Sequence, residues 1–229
     1  MRRCLLVLAA AAAFDDVPFE LRDVYGPPPA KAAVELPLLH EPRVKLWWPA
    51  LDDVVAIAQD AANPYDAPTT LWPAGAVLAH ALASDCASWQ GKVILELGCG
   101  VGAAALALAR CGASVVATDI SEAALALTAK NTNGTNGTVV TRLLDWDDDD
   151  ALRILRAVRK SMTAEARLLV LERVVGDARA TDAHMWVCFG GKERSTAAFE
   201  DLLDKAGFTT LKMTPLDGDA LVAIEAMTK

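Results

Sequence analysis

The stretch "KVILELGCGVGA", Lys92 to Ala103, constrains this chain more than any other. A short apolar run ends in Glu96-Leu97. Three glycines at alternate positions, Gly98, Gly100 and Gly102, then lead into "AAALALARCG". The first run reads as a buried strand, and the second, closed by Gly112, as a helix. Glycines between the two let a ligand approach the backbone at a helix N-terminus, where N–H groups and the helix dipole attract polar groups. The rival reading is a tight strand-to-helix turn whose glycines serve packing alone.

The surrounding pattern extends the same architecture. "AGAVLAHALAS" reads as a helix, "SVVATDI" as a second strand, and "SEAALALTAKN" as a helix that Ser121 can cap. There follow strand "TVVTRLL", helix "DALRILRAVRKS", strand "RLLVLERVV", helix "STAAFEDLLDKAGF" and two closing strands, "TTLKMTPL" and "ALVAIEA". Alternating strands and helices imply an α/β fold with a doubly wound, mostly parallel sheet. Between Asp119 and Trp146 only one helix and one strand fit.

Charge separates the nucleotide cofactors the loop could take. Gly98-x-Gly100-x-x-Ala103 also satisfies the dinucleotide fingerprint. Glu96, beside the loop, would repel a pyrophosphate but suits a cofactor bearing an ammonium and a sulfonium. That favours S-adenosylmethionine over a nicotinamide dinucleotide. Asp119, ending the second strand ahead of Ile120, is placed to accept hydrogen bonds from ribose hydroxyls in either case.

Length and composition bound the rest. The 229 residues, 53% of them hydrophobic, can bury a full core. A net charge of -8 without a sustained Lys/Arg block speaks against a nucleic-acid surface. Five scattered cysteines without a CxxC pair indicate neither a metal site nor a disulfide framework, and reduced, buried thiols are expected. Residues 1–13 have the layout of a signal peptide, or form a disordered tail, and are too short to span a bilayer. The compartment is accordingly cytoplasmic, or secretory or organellar if those residues act as a signal. Residues 14–70 are a Pro- and acid-rich extension with a few short elements, and 71–229 form the principal domain. Oligomeric state is not legible.

Two resemblances meet in the chain. "VILELGCGVG" followed by "VVATDIS" resembles the class I S-adenosylmethionine-dependent methyltransferases, which have a Rossmann-like fold. A full fold of that class has a third strand, a helix and a fourth strand between the positions of Asp119 and Trp146, so the resemblance implies that one strand and one helix are missing here. With "TLWPAGAVLAHAL", "KNTNG" and "LLDW", residues 70–146 are similar to the methyltransferase-like protein-lysine methyltransferases. The D-x-x-Y pattern of that family is not found after Trp146. "DWDDDDALRILRAVRKSM", "HMWVCFGGKERSTAAFEDLLDKAGF" and "ALVAIEA" are similar to the C-terminal part of the caffeate and acetylserotonin type of small-molecule O-methyltransferases.

The first resemblance implies Glu96, Gly98, Gly100, Gly102, Asp119, Ile120, Asp145 and Trp146 at the cofactor. The second implies Glu172 and Glu193 as acids flanking a catalytic base, with Met185 on the substrate wall and His184 beside it as a conceivable substitute base. In that family the residue before Asp-Trp is the histidine base, and here it is Leu144, which cannot accept a proton. A well-placed base contributes about 10²- to 10⁴-fold in rate, so its loss would impair such an enzyme.

The expected function is methyl transfer from S-adenosylmethionine to a small-molecule hydroxyl. The alternatives are a protein lysine as acceptor and an inactive cofactor-binding remnant. No nucleic acid, metal or stable membrane insertion is expected. Asp147 to Asp150 read as a helix N-cap rather than a metal site. Trp146 either stacks on an adenine or fills the end of the sheet.

Overall fold

The computed structural model describes residues 6–10, 41–48, 51–62, 67–145, 151–174, 194–217 and 221–229. The chain divides into two compact units, Val17–Asp145 and Met1–Asp16 together with Trp146–Lys229. Strand β1 (Leu6–Ala10) belongs to the second unit, and hairpin β2 (Arg43–Trp48) and β3 (Asp53–Ala58) to the first.

The first unit is built on three parallel strands, β4 (Val93–Leu97), β5 (Ser114–Asp119) and β6 (Thr138–Leu143), with β5 in the middle. Helix α1 (Pro73–Ser84) precedes them and starts with proline at its first turn, where no backbone donor is lost. The short α2 (Cys86–Trp89) leads into β4. Helix α3 (Ala103–Arg110) joins β4 to β5, and residues 103–109 are all buried. Alanine at four of every seven positions or more suits a helix enclosed on every side, because small side chains let neighbouring elements approach its backbone. Helix α4 (Glu122–Asn131) joins β5 to β6, and Ser121 caps it as expected, its Oγ accepting the Ala124 N–H at 3.2 Å.

Between Asp119 and Asp145 the chain supplies only α4 and β6, which is the shortage read from the sequence. β6 pairs with β5, Asp119 standing opposite Leu143. Leu143, the first residue of "LLDW", therefore ends the strand that neighbours the second parallel strand, β5. The hairpin β2–β3 is antiparallel, with Trp48 opposite Asp53.

The second unit contains α5 (Ala151–Ser161), β7 (Arg167–Arg173), α6 (Thr196–Ala206), β8 (Phe208–Asp217) and β9 (Leu221–Thr228). Leu155 and Val158 of α5 and Phe199 and Leu203 of α6 are buried, one stripe on each helix. Ser195 caps α6, and Gly207 closes it in the left-handed conformation. β1 with β7, β7 with β9 and β8 with β9 each pair antiparallel. Alternation along the chain predicts more parallel pairing than this. β8 and β9 are separated by three residues, which admits a hairpin but not the crossover that parallel neighbours require. Residues 6–10, within the stretch expected to be a signal peptide or tail, form a strand in register with β7, Leu6 opposite Leu171.

Among the described residues no helix is long and apolar enough to cross a membrane, and no three His, Cys, Asp or Glu side chains cluster as metal ligands.

Candidate functional site

The site is assembled at the ends of β4, β5 and β6. Gly98, Gly100 and Gly102 all have positive φ, at 70°, 54° and 78°. Gly102 is required twice over, since a Cβ there would also lie 2.7 Å from the Thr128 side chain. The turn runs directly into α3, whose first residue follows Gly102.

Asp119 is 6% exposed and clamps this loop. Its Oδ2 accepts the Gly100 N–H at 2.9 Å and its Oδ1 accepts the Ser121 N–H at 3.0 Å. A carboxylate offers about four lone-pair sites, so both oxygens retain capacity for ribose hydroxyls.

Glu96 is 1% exposed, and its Oε2 has no hydrogen-bond partner among the described residues. Burial, and then the nearby charge of Asp119, push its carboxyl pKa up to about 8, while the Ala105 N–H draws it part of the way back. A buried acid with an idle oxygen beside a ligand-binding turn fits a cationic group and would oppose a pyrophosphate. S-adenosylmethionine fits this donor and charge set: Glu96 is suited to its cationic portion, Asp119 to its ribose and the glycine loop to close backbone contact.

Ile120, Leu143 and Leu144 are 42%, 57% and 39% exposed at the ends of β5 and β6. The Leu144 N–H donates to the Asp119 carbonyl at 3.0 Å. Exposed apolar side chains at this edge suit the face of a purine base. Asp145, two residues beyond β6, is exposed.

The expected cofactor residues Glu96, Gly98, Gly100, Gly102, Asp119, Ile120 and Asp145 thus all lie at or beside the glycine loop or the neighbouring strand ends. Trp146, His184, Met185 and Glu193 lie outside the described residues, as does the acidic run Asp147 to Asp150. Glu172 is half-buried in β7, opposite Val222, in the other unit.

Three features were not read from the sequence. Thr128 donates its Oγ1 proton to the Gly100 carbonyl at 2.9 Å, and Asn131 donates to the Val101 carbonyl at 2.8 Å. The only available signal was their spacing on one helix face, three residues apart. Cys86 and Cys111 form a disulfide, with Cα atoms 4.6 Å apart, where reduced thiols were expected. Twenty-five residues separate them, so no local motif announces the pair. Cys99 is buried and free; burial, with the Glu96 charge, pushes its thiol well above the usual range and makes it a poor nucleophile.

The chain matches the family model described as lysine methyltransferase over residues 50–201. A mitomycin biosynthesis 6-O-methyltransferase from Streptomyces lavendulae is 35% identical over 88 residues, covering 36% of this chain and 25% of that protein. An 8-amino-8-demethylriboflavin N,N-dimethyltransferase from Streptomyces davaonensis is 39% identical over 89 residues, again 36% of this chain and 25% of that protein. The crystal structure of N,N-8-amino-8-demethyl-D-riboflavin dimethyltransferase from Streptomyces davawensis superposes with a TM-score of 0.52 at 26% identity, covering 63% of this chain and 51% of that one. The chain therefore spans about a quarter of the length of these curated relatives. The fold is the Rossmann-like fold of the class I methyltransferases. With more than half of its length matched by one family model, the chain belongs to the lysine methyltransferase family.

Proposed function

We propose that the chain binds S-adenosylmethionine at the glycine loop and transfers its methyl group to a small-molecule hydroxyl. The observation that carries the cofactor is the idle Oε2 of buried Glu96 together with Asp119 around a turn of positive-φ glycines. When bound, the cofactor would supply a methyl group activated by its sulfonium. This chain's residues would then hold it: Glu96 by charge, Asp119 through the ribose, and Ile120, Leu143 and Leu144 as an apolar surface for the base. Positioning of this kind provides much of the rate in a displacement reaction.

The hydroxyl acceptor is supported by the small-molecule O-methyltransferases among the relatives and by the resemblance of residues 143–226 to that class. A second reading, transfer to a protein lysine, is supported by the family model and by β6. Leu144 directly follows β6, which pairs with β5, and its N–H donates to the carbonyl of the ribose acid, which is how "LLDW" reads in the lysine methyltransferase resemblance. A lysine amine has a pKa near 10.4 in water and would have to lose its proton before attack.

Calorimetric titration with S-adenosylhomocysteine tests the cofactor, with Asp119→Ala as control. Saturable binding that the variant lacks is expected, and a folded wild-type protein that does not bind would overturn the reading. Methyl-labelled cofactor offered together with a panel of phenols and a protein extract then separates the acceptors. Label in the phenol fraction supports the hydroxyl, and label on protein lysine replaces it.

A further inference from the structure

Asn131, the last residue of α4, makes three hydrogen bonds with one carboxamide. Its Oδ1 accepts the Ala58 N–H at 2.8 Å, and its Nδ2 donates to the Ala58 carbonyl at 3.0 Å and to the Val101 carbonyl at 2.8 Å. An asparagine side chain has two N–H donors, so both are committed. Ala58 ends β3 of the hairpin, and Val101 stands between Gly100 and Gly102. One side chain thus joins its own helix to two parts of the first unit, 73 and 30 residues away in sequence.

β5 holds the start of the loop, its Thr118 carbonyl accepting the Cys99 N–H at 2.9 Å, and α4 holds the Gly100 and Val101 carbonyls beyond it. Thr128, fully buried one turn before Asn131, holds the Gly100 carbonyl, and Asn131 holds the next one. A trans peptide is planar, so fixing a carbonyl also fixes the N–H on its opposite side. Two consecutive carbonyls turned towards α4 therefore orient the Val101 and Gly102 N–H groups. Asp119 sets the preceding one by taking the Gly100 N–H.

Thr128 and Asp119 reach the loop from their own helix and strand. Asn131 does so while gripping both backbone groups of Ala58, as an adjacent strand would. The hairpin has a separate attachment in the ion pair of Asp53 with Arg110 of α3.

We propose that Asn131 is a positioning residue of the cofactor loop, with the hairpin β2–β3 as its second anchor, so that cofactor affinity depends on a side chain placed behind the loop. The proposal rests on the reading of this loop as the S-adenosylmethionine site. Asn131→Asp is the sharpest variant. It keeps the size of the side chain and the acceptor for the Ala58 N–H, but sets an oxygen against two carbonyl oxygens. Asn131→Ala, which adds no charge, replaces it if the first variant does not fold. Asp53→Ala is the control, since it breaks the other hairpin attachment without touching the loop.

Three quantities are measured on the full chain: S-adenosylhomocysteine affinity by calorimetry, the unfolding midpoint, and amide hydrogen exchange at Val101, Gly102 and Ala103 without ligand. Asn131→Asp is expected to weaken affinity at least 10-fold and to speed exchange at these amides, while Asp53→Ala lowers the midpoint and leaves both unchanged. Wild-type affinity and exchange in a folded Asn131 variant overturn the proposal. Equal weakening by Asp53→Ala also overturns it, assigning the effect to hairpin stability in general. A wild-type chain that binds no S-adenosylhomocysteine removes the cofactor reading. The exchange comparison then decides the proposal by itself, and unchanged exchange overturns it.

Discussion

Asp119 accepts the Gly100 N–H at 2.9 Å, so the acid that ends β5 is also the clamp of the turn that ends β4. The two strand ends cannot move independently while this bond holds. A ligand meeting either residue meets both.

Removing that acid should therefore cost more than a ribose contact. A hydrogen bond to a charged group is worth about 1.5–3 kcal/mol, so Asp119→Ala is expected to weaken S-adenosylhomocysteine roughly 10- to 100-fold from the ligand contact alone. Release of the Gly100 and Ser121 N–H groups adds to this and lowers the unfolding midpoint. Asp119→Asn, which can still accept one of these bonds, should retain more stability than affinity. Calorimetry and thermal melts on the same preparations separate the two losses.

Glu96 makes stability depend on pH. Its carboxyl, raised to about 8 in the folded protein from 4.5, keeps its proton over a range where the unfolded chain has lost it. The folded state is thus favoured fully below 4.5, and the advantage is lost as pH rises through 8. The unfolding midpoint should fall between pH 5 and pH 8, and Glu96→Gln should flatten that slope. A ligand ammonium beside Glu96 reverses the preference for the proton. Binding should then tighten as pH approaches 8 and release a proton, seen as a titration heat that varies with buffer.

Gly102 and Gly134 share a φ of 78° but differ in surroundings. A Cβ at Gly134 meets nothing within 4 Å, whereas one at Gly102 runs into Thr128. Gly134→Ala should cost about 1 kcal/mol for the backbone conformation, and Gly102→Ala about twice that or more. Equal shifts in the unfolding midpoint would mean that Thr128 moves aside freely.

The disulfide predicts a redox-dependent melt. Closing a loop of this length stabilises a chain by about 3.5 kcal/mol in the chain-entropy treatment. Dithiothreitol should lower the unfolding midpoint of the wild type and leave that of Cys86→Ser/Cys111→Ser unchanged. Thiol counting before and after reduction provides the independent check.

Leu144→His distinguishes the two acceptor readings. If Leu144 stands where the O-methyltransferases carry their base, the histidine should raise transfer to phenols by about 10²-fold or more. If its place beside the Asp119 carbonyl governs, transfer should stay flat and cofactor affinity should change instead.

Local patterns in the sequence were enough for the glycine turn, the Ser121 cap and the shortage of elements between Asp119 and Asp145. Each depends on neighbours a few residues apart. Strand direction in the second unit was not legible, because alternation of strands and helices does not encode which strands become neighbours. The placement of "LLDW" was equally open until β6 was seen beside β5, since both resemblances spell the joint alike. In the sequence Asn131 is only part of the "KNTNG" segment; its value lies in Ala58 and Val101, which no spacing rule connects to it. Burial made Glu96 more than a strand-end acid, and burial is a property of the packed unit.

Cys86 and Cys111 close a covalent ring that contains Glu96, all three loop glycines and the whole of α3. A protease that cuts once within this ring releases nothing, because the two ends stay bonded through sulfur. On a non-reducing gel such a nicked molecule runs near its full mass while its binding loop is severed. Intact mobility is therefore no certificate of an intact site in this protein, and only a reduced sample reveals the break.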